Sequence, residues 1–315
     1  MLSLSASDRR FEDNRSERKL RNTSHGTGRA LRAALSTGRG SSATIPGQTS
    51  VAVTKSLAVG TRPSVASKRM LPSERYFASL LAAAEIAHGR PLGPGTTIVI
   101  DPERVGTGSA SCYPTPHTSI VWCDPSLLER LAPIESSKTL SAEEFIVATG
   151  ALGAVLVGYG RIRTLDGDLR RPGAHLGDLI VRHVGIGDAA PISMLASLIA
   201  ACDDDDIEEA DLDLDHLDPT LTLLIAADGT IAAYASSRPH DTLADFDDIS
   251  VLTHPAWRGR RLGALAAYEY VRRRRSEGRC WLYRCDLDNT GSNRVAESLG
   301  FTLVTTIGAV SFPPD

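Results

Sequence analysis

The stretch from Val251 to Ala264, V-L-T-H-P-A-W-R-G-R-R-L-G-A, constrains the chain more than any other. An apolar run leads into a turn rich in Gly and Arg, and a long helical pattern follows. The first amide N–H groups of a helix that starts this way have no partner within the helix, and its dipole adds positive charge there. Gly259 and Gly263 are read as letting a phosphate come close to the backbone. Arg258, Arg260 and Arg261 add positive charge and bidentate donors. The pattern predicts an anion site over 258–263, and a pyrophosphate is its natural ligand. The bland alternative is a turn with solvated arginines.

Around this turn the chain reads as an α+β unit spanning 174–315. Strands are predicted at 179–184, 221–226, 231–236, 246–253, 281–286 and 301–312. Helices are predicted at 192–201, 259–277 and 292–299. Asp228-Gly229 marks a hairpin, and Gly278 and Gly300 stand where helix C-caps belong. Upstream, 73–168 reads as a smaller α+β domain with no nameable catalytic motif. Tyr76, Leu80, Leu81, Ala84 and Ala87 recur at helical spacing after Ser73, and Gly89 stops that run. Strands at 96–100, 118–122 and 161–165 and helices at 125–131 and 142–156 complete it. Arg170-Arg171-Pro172-Gly173 is the linker between the two.

Charge divides the 315-residue chain differently. The net charge of −4 hides a basic stretch, 1–70, with 13 Lys/Arg against 4 Asp/Glu, on an acidic remainder. Those first residues hold one aromatic, Phe11, and cannot bury enough apolar surface to offset ordering entropy, so 1–70 is read as a disordered basic tail. Met70 stands at the composition break, so the alternative is that translation begins there. Ser and Arg richness resembles an organelle transit peptide, but Asp8, Glu12, Asp13 and Glu17 argue against one. The start lacks an apolar segment, so no secretory signal is expected. The longest uncharged apolar run, 145–160, is shorter than the roughly 20 residues of a membrane span. Cysteines at 112, 123, 202, 280 and 285 form no C-x-x-C, and the histidines form no ligand pair, so neither a disulfide framework nor a metal site is indicated. A cytoplasmic location is the expectation.

A second motif follows the strand at 281–286. It runs Asn289-Thr-Gly-Ser292-Asn293-Arg294-Val295-Ala296-Glu297-Ser298-Leu299-Gly300-Phe301. With the hairpin and the strand at 246–253, it resembles the GNAT superfamily of N-acetyltransferases. That family pairs an R-G-x-G-x-G/A turn with a later N-x-x-A-x-x-L-Y-E-K-L-G-F helix. Arg258, Gly259 and Gly263 match the first; Asn289, Glu297, Leu299, Gly300 and Phe301 match the second. The resemblance covers about 140 residues and implies a central mixed sheet flanked by helices.

It also implies acetyl transfer from acetyl-CoA to an amine by direct attack on the thioester. The pyrophosphate would sit on the amides from Arg258 through Gly259, Arg260, Arg261 and Leu262 to Gly263. The pantetheine arm would run along Val251, Leu252 and Thr253, where a backbone amide can polarise the thioester carbonyl. Asn289 would touch the cofactor. Two positions depart from the family. Arg261 replaces the middle glycine. Ala296 replaces the tyrosine that protonates the departing thiolate in many members, a role alanine cannot take, and Tyr283 is the candidate substitute. A base is also wanted, because an alkyl ammonium near pKa 10 is not a nucleophile. Asp247 and Asp245 are the candidates, since even spacing sets both on one face of the strand. Their alternative, shared with Asp248, is a solvated strand entry.

The acidic run from Asp203 to Asp218 holds ten carboxylates in sixteen residues. It is either a field that attracts a cationic amine or a solvated loop. Arg272 to Arg275 complements the helix dipole, and Tyr268 and Tyr270 are too few for a nucleic-acid stacking platform. Cys285 is read as packing. The expected partner is a small-molecule or peptide amine, with no nucleic acid, membrane or metal, and no oligomeric state is implied. The competing reading is a non-catalytic acetyl-CoA-binding module or regulator, with Ala296 as the mark of the lost acid.

Overall fold

The computed structural model describes residues 70–185, 190–210, 212, 220–240 and 243–313. The expected tail lies outside them except for Met70, as do 211 and 213–218 of the acidic run.

Helix α1 (Pro72–His88) opens with proline in its first turn and ends at Gly89, whose φ of 77° lets its N–H reach the Glu85 carbonyl. Its buried face is Tyr76, Leu80 and Ala84, spaced by four. Strands β1 (Gly95–Ile100), β2 (Ser109–Pro114) and β3 (Thr118–Cys123) follow. Helices α2 (Leu128–Leu131) and α3 (Ala142–Gly150) come next, then β4 (Val155–Thr164). Helix α3 carries the capping box that Ser141 and Glu144 encode, with each side chain accepting from the other's backbone N–H. It stops at Gly150, not at 156: Gly153 takes a φ of 85°, and the apolar run beyond it extends as strand.

The second half holds β5 (Ile180–Val184), α4 (Ala190–Ala201), α5 (Asp204–Glu209), β6 (Leu221–Ile225), β7 (Ile231–Pro239) and β8 (Phe246–Thr253). Helix α6 (Leu262–Arg274), β9 (Cys280–Asp286), α7 (Thr290–Leu299) and β10 (Thr302–Ser311) complete it.

The ten strands of the described residues form one sheet in the order β1-β3-β2-β10-β4-β9-β8-β7-β6-β5. Pairing is antiparallel except for β1 with β3 and β8 with β9. The division expected at 168–174 is therefore crossed by hydrogen bonds. Strand β4, from the first half, lies between β9 and β10, with Gly160 opposite both Asp286 and Ile307. The last strand reaches further and pairs with β2. Packing crosses the division as well. Tyr76, Leu80 and Ala84 share a core with Phe246, Cys280 and Leu282, and Val310 and Phe312 pack with Val121 and Phe145.

One pairing positions the site. Strands β8 and β9 are bonded only from Phe246 opposite Cys280 to Asp248 opposite Leu282. Each then continues, β8 to Thr253 and β9 to Asp286, without pairing to the other. A gap opens at the middle of the sheet. One edge of β8 beyond Asp248 is left without a ladder partner, while its other edge stays paired to β7 through Thr253.

Candidate acyl-transfer site

The turn that follows β8 is built from short local contacts. The His254 Nδ1 accepts the Ala256 N–H at 3.1 Å, and one 3-10 turn, Pro255–Trp257, carries the chain over. Gly259 has a φ of 77° in open space. Arg261 is the N-cap of α6 at φ 60°, and no side chain caps that helix. Among the described residues Arg261 is the one non-glycine with positive φ. It occupies the position of the family's middle glycine and holds the left-handed conformation at a cost of about 1 kcal/mol.

Gly263 also answers a packing constraint. A Cβ there would lie 2.6 Å from Thr253 Oγ1 and 3.1 Å from Val251 Cγ1. The missing side chain lets α6 press against β8. Val251 and Thr253 thus point under α6, while Leu252 points to the opposite face among Leu195 and Leu198. The backbone of 251–253, not its side chains, is what can meet a ligand.

An open cleft of about 820 Å³ lies over the turn. It is lined by Trp257 and 259–262, by 175–179 and by the β6–β7 turn at 226–228. Arg260 stacks on the Trp257 ring at 4.7 Å. Arg258 turns the other way: its guanidinium pairs with Asp206 on α5, and its Nε meets the Thr253 carbonyl at 3.4 Å. The described part of the acidic run therefore contacts the turn itself.

The carboxylates expected to share one strand face do not. Asp245 precedes β8, where strand periodicity does not apply, and lies 3.9 Å from Arg75 of α1 with its side chain 64% exposed. Asp247 is 2% exposed on the side of α6. Its Oδ1 accepts from Arg279 at 2.7 and 3.1 Å, and Arg274 lies 3.8 Å from its Oδ2. A base there would have to leave that cage.

Tyr283 is buried beside Phe301, with its hydroxyl 3.0 Å from the Ser292 Oγ of α7. Burial raises its phenol above the ordinary value, so it is protonated at neutral pH. Glu209, at the end of α5, lies within electrostatic reach of it. Asn289 spends its side chain on the helix, accepting the Ser292 N–H at 2.8 Å as the N-cap of α7. Ala296 is fully buried among Leu299, Phe301 and Tyr283.

Two side-chain networks were missed in the sequence. In the first, Asn293 Oδ1 accepts from Arg161 and Arg163 at 2.8 Å each, while its Nδ2 reaches the carbonyls of Asp286 and Asn289. Buried Arg163 also meets Glu297 at 3.1 Å, so the motif glutamate anchors α7 to β4. The second network surrounds Asp248, on the opposite face from Asp247. Its Oδ2 pairs with Arg284 of β9, and Arg238 of β7 is its cross-strand partner. The alternation Arg161-Ile162-Arg163 on β4 was the available signal for the first; a lone Arg238 on β7 and a lone Arg284 on β9 gave none for the second. Among the described residues no three His, Cys, Asp or Glu side chains converge as a metal site, and no helix is long and apolar enough to cross a membrane. All five thiols are free, and burial pushes Cys112 up to about 12 and Cys123 to about 11.

Residues 193–301 match the acetyltransferase (GNAT) family model, and the chain thus carries a GNAT acetyltransferase domain over that stretch. Among solved structures, a GCN5-related N-acetyltransferase from Sphaerobacter thermophilus is similar at 12% identity and a TM-score of 0.40, over 76% of this chain and 93% of that one. A GNAT-family acetyltransferase from Colwellia psychrerythraea is similar at 12% identity and a TM-score of 0.38, over 61% and 76%. A GCN5-related N-acetyltransferase from Kribbella flavida is similar at 18% and 0.38, over 54% and 63%. No curated protein matches the chain.

Proposed function

We propose that the protein is an acetyl-CoA-dependent N-acetyltransferase acting on a primary amine. The observation that carries this reading is the opening of the sheet after Asp248, directly before the uncapped N-terminus of α6. An extended thioester arm needs a free strand edge, and a pyrophosphate needs unpaired amides beside cations. Ile249 to Thr253 supply the edge. The first-turn amides of α6, with Arg260 and Arg261, supply the anion site. Acetyl-CoA brings the activated acyl group.

The chain's own residues then have distinct tasks. The amine attacks the thioester carbonyl carbon, the carbon–sulfur bond breaks, and the thiolate leaves with one proton from the protein side. Tyr283, protonated and linked to Ser292, stands in for the hydroxyl that Ala296 lacks. On the acceptor side, Asp248 at the apex of the opening takes the proton that the amine sheds. Asp247 is not carried forward in that role, because Arg279 and Arg274 hold it under α6.

The test is thiol release from acetyl-CoA against a panel of primary amines from pH 6 to 10. Amine-dependent release that falls at least tenfold in Tyr283→Phe supports the reading. Tight acetyl-CoA binding without turnover of any amine across that range would instead favour the non-catalytic module, with Ala296 its simplest explanation.

A further inference from the structure

Of the three arginines in the turn, Arg260 and Arg261 line the cleft and Arg258 does not. Arg258 is held on two sides instead. Its Nε donates to the Thr253 carbonyl at 3.4 Å, and a terminal nitrogen pairs with Asp206 of α5. That carbonyl belongs to the free edge of β8. The His254 N–H donates to the Ala232 carbonyl, and the Phe246 carbonyl accepts the His240 N–H, so the even-numbered groups of β8 face β7. Ile249, Val251 and Thr253 therefore turn their N–H and C=O groups to the opening.

The segment that holds Arg258 is itself fixed along this edge. Cys202, just before α5, has its Sγ 4.0 Å from the same Thr253 carbonyl. The Asp203 side chain accepts the Asp206 N–H at 2.9 Å, and the Ala210 carbonyl, just after α5, accepts the Ser250 hydroxyl. Contacts at both ends of α5 thus present Asp206 to Arg258. A carboxylate and a phosphate offer a guanidinium the same kind of paired oxygen acceptors. Both partners also reach solvent, with side chains 45% and 26% exposed, so they can part without rearranging the core.

We infer that Arg258 is a third pyrophosphate-binding cation and that Asp206 is its built-in competitor: when acetyl-CoA binds, Arg258 exchanges the Asp206 carboxylate for a phosphate. The inference rests on the acetyl-CoA reading of the turn and deepens it. An ion pair this exposed biases an equilibrium by up to about fivefold, enough to tune cofactor affinity without abolishing it. Asp206 recaptures Arg258 as the phosphate leaves, which favours release of CoA after transfer.

The test is a double-mutant cycle on the full chain, read by calorimetric titration of acetyl-CoA. Asp206→Asn keeps the shape of the side chain and removes its charge, and should bind acetyl-CoA about fivefold more tightly. Arg258→Gln should bind it more weakly than the wild type. In the Arg258→Gln background, adding Asp206→Asn should change the affinity less than about twofold, because the competitor has nothing left to hold. Unchanged binding in either single variant, or weaker binding in Asp206→Asn, would overturn the inference. So would an equal tightening by Asp206→Asn in the absence of Arg258, which would mean a general repulsion between α5 and the phosphates. Acetyl-CoA binding by the wild type with no gain in Asp206→Asn rejects the exchange alone. No acetyl-CoA binding by the wild type and by every variant rejects the acetyl-CoA reading itself.

Discussion

Two pairs of buried aspartates, Asp101 and Asp124 in the first half of the sheet and Asp247 and Asp248 in the second, are partnered differently. In the first half, Asp124 is 1% exposed and both its oxygens are used. Oδ1 accepts from the Ser126 N–H and Oγ, and Oδ2 from the Gly108 N–H, each at 2.9 Å. Burial alone would raise its carboxyl, but these bonds outweigh burial and lower it. Asp101 likewise accepts from Glu103 and Arg104. In the second half, Asp247 and Asp248 each keep one buried oxygen without a hydrogen bond. Asp247 has two guanidinium groups around it and is an anchor for α6. Asp248 has an unclaimed oxygen at the point where the strands part. A carboxylate finished by its own neighbours holds the fold, and one left unfinished at an opening is available to a ligand.

Several experiments can break or sharpen this comparison. The largest effect is expected from separating the halves. A fragment of 174–315 lacks β4, so β9 and β10 each lose a central partner, and it should show no cooperative thermal transition. A cooperative fragment would mean that the halves are independent after all. Next come the anchors. Asp124→Ala should cost about 3 kcal/mol by denaturant unfolding, because it orphans buried N–H donors. Asp247→Asn should cost a similar amount, about 3 kcal/mol, by leaving Arg279 and Arg274 underpaired. Turnover by folded Asp247→Asn should change less than threefold; a loss of about a hundredfold would return the base role to it.

A smaller effect concerns His240. Its ring is held down to about 4 in the folded chain, from an ordinary 6.5. The unfolded chain therefore binds the extra proton between those values, and stability falls as pH drops through that window. Between pH 7 and 5 the loss from this group is up to about 2 kcal/mol, and His240→Gln should recover most of it in thermal scans. An identical pH slope in the variant would show that the ring is solvated. The smallest stability change is expected for Asp248→Asn, under about 1 kcal/mol, because the half-exposed Arg284 regains water.

Much of the second half was legible in the sequence because its signals are local. Asp228-Gly229 fixed the hairpin, Val251 to Ala264 fixed the strand–turn–helix, and Gly300 fixed the end of α7. In the first half β2 was missed: S-A-S-C-Y-P has small and polar residues where strands usually carry branched ones. The start of β4 was read as helix because a continuous apolar run has no period to decide between the two. The placement of β4 between β9 and β10 pairs residues over a hundred positions apart, and no local pattern encodes that. At the site, the turn was legible as an anion cradle, but the packing role of Gly263 was not, since it depends on how closely α6 approaches Thr253. The distinct tasks of Asp245, Asp247 and Asp248 likewise followed from where β8 begins and which arginines neighbouring elements supply.

The central claim is that the uncapped turn at 258–263 and the free edge of β8 hold acetyl-CoA. Calorimetric titration of acetyl-CoA into the full chain and into Arg260→Glu and Arg261→Glu tests it most directly. Both side chains line the cleft, and neither is buried in the core. Each variant should keep the wild-type thermal midpoint and bind at least tenfold more weakly, about 1.4 kcal/mol. Wild-type affinity in both variants, or no binding by the wild type itself, would contradict the account.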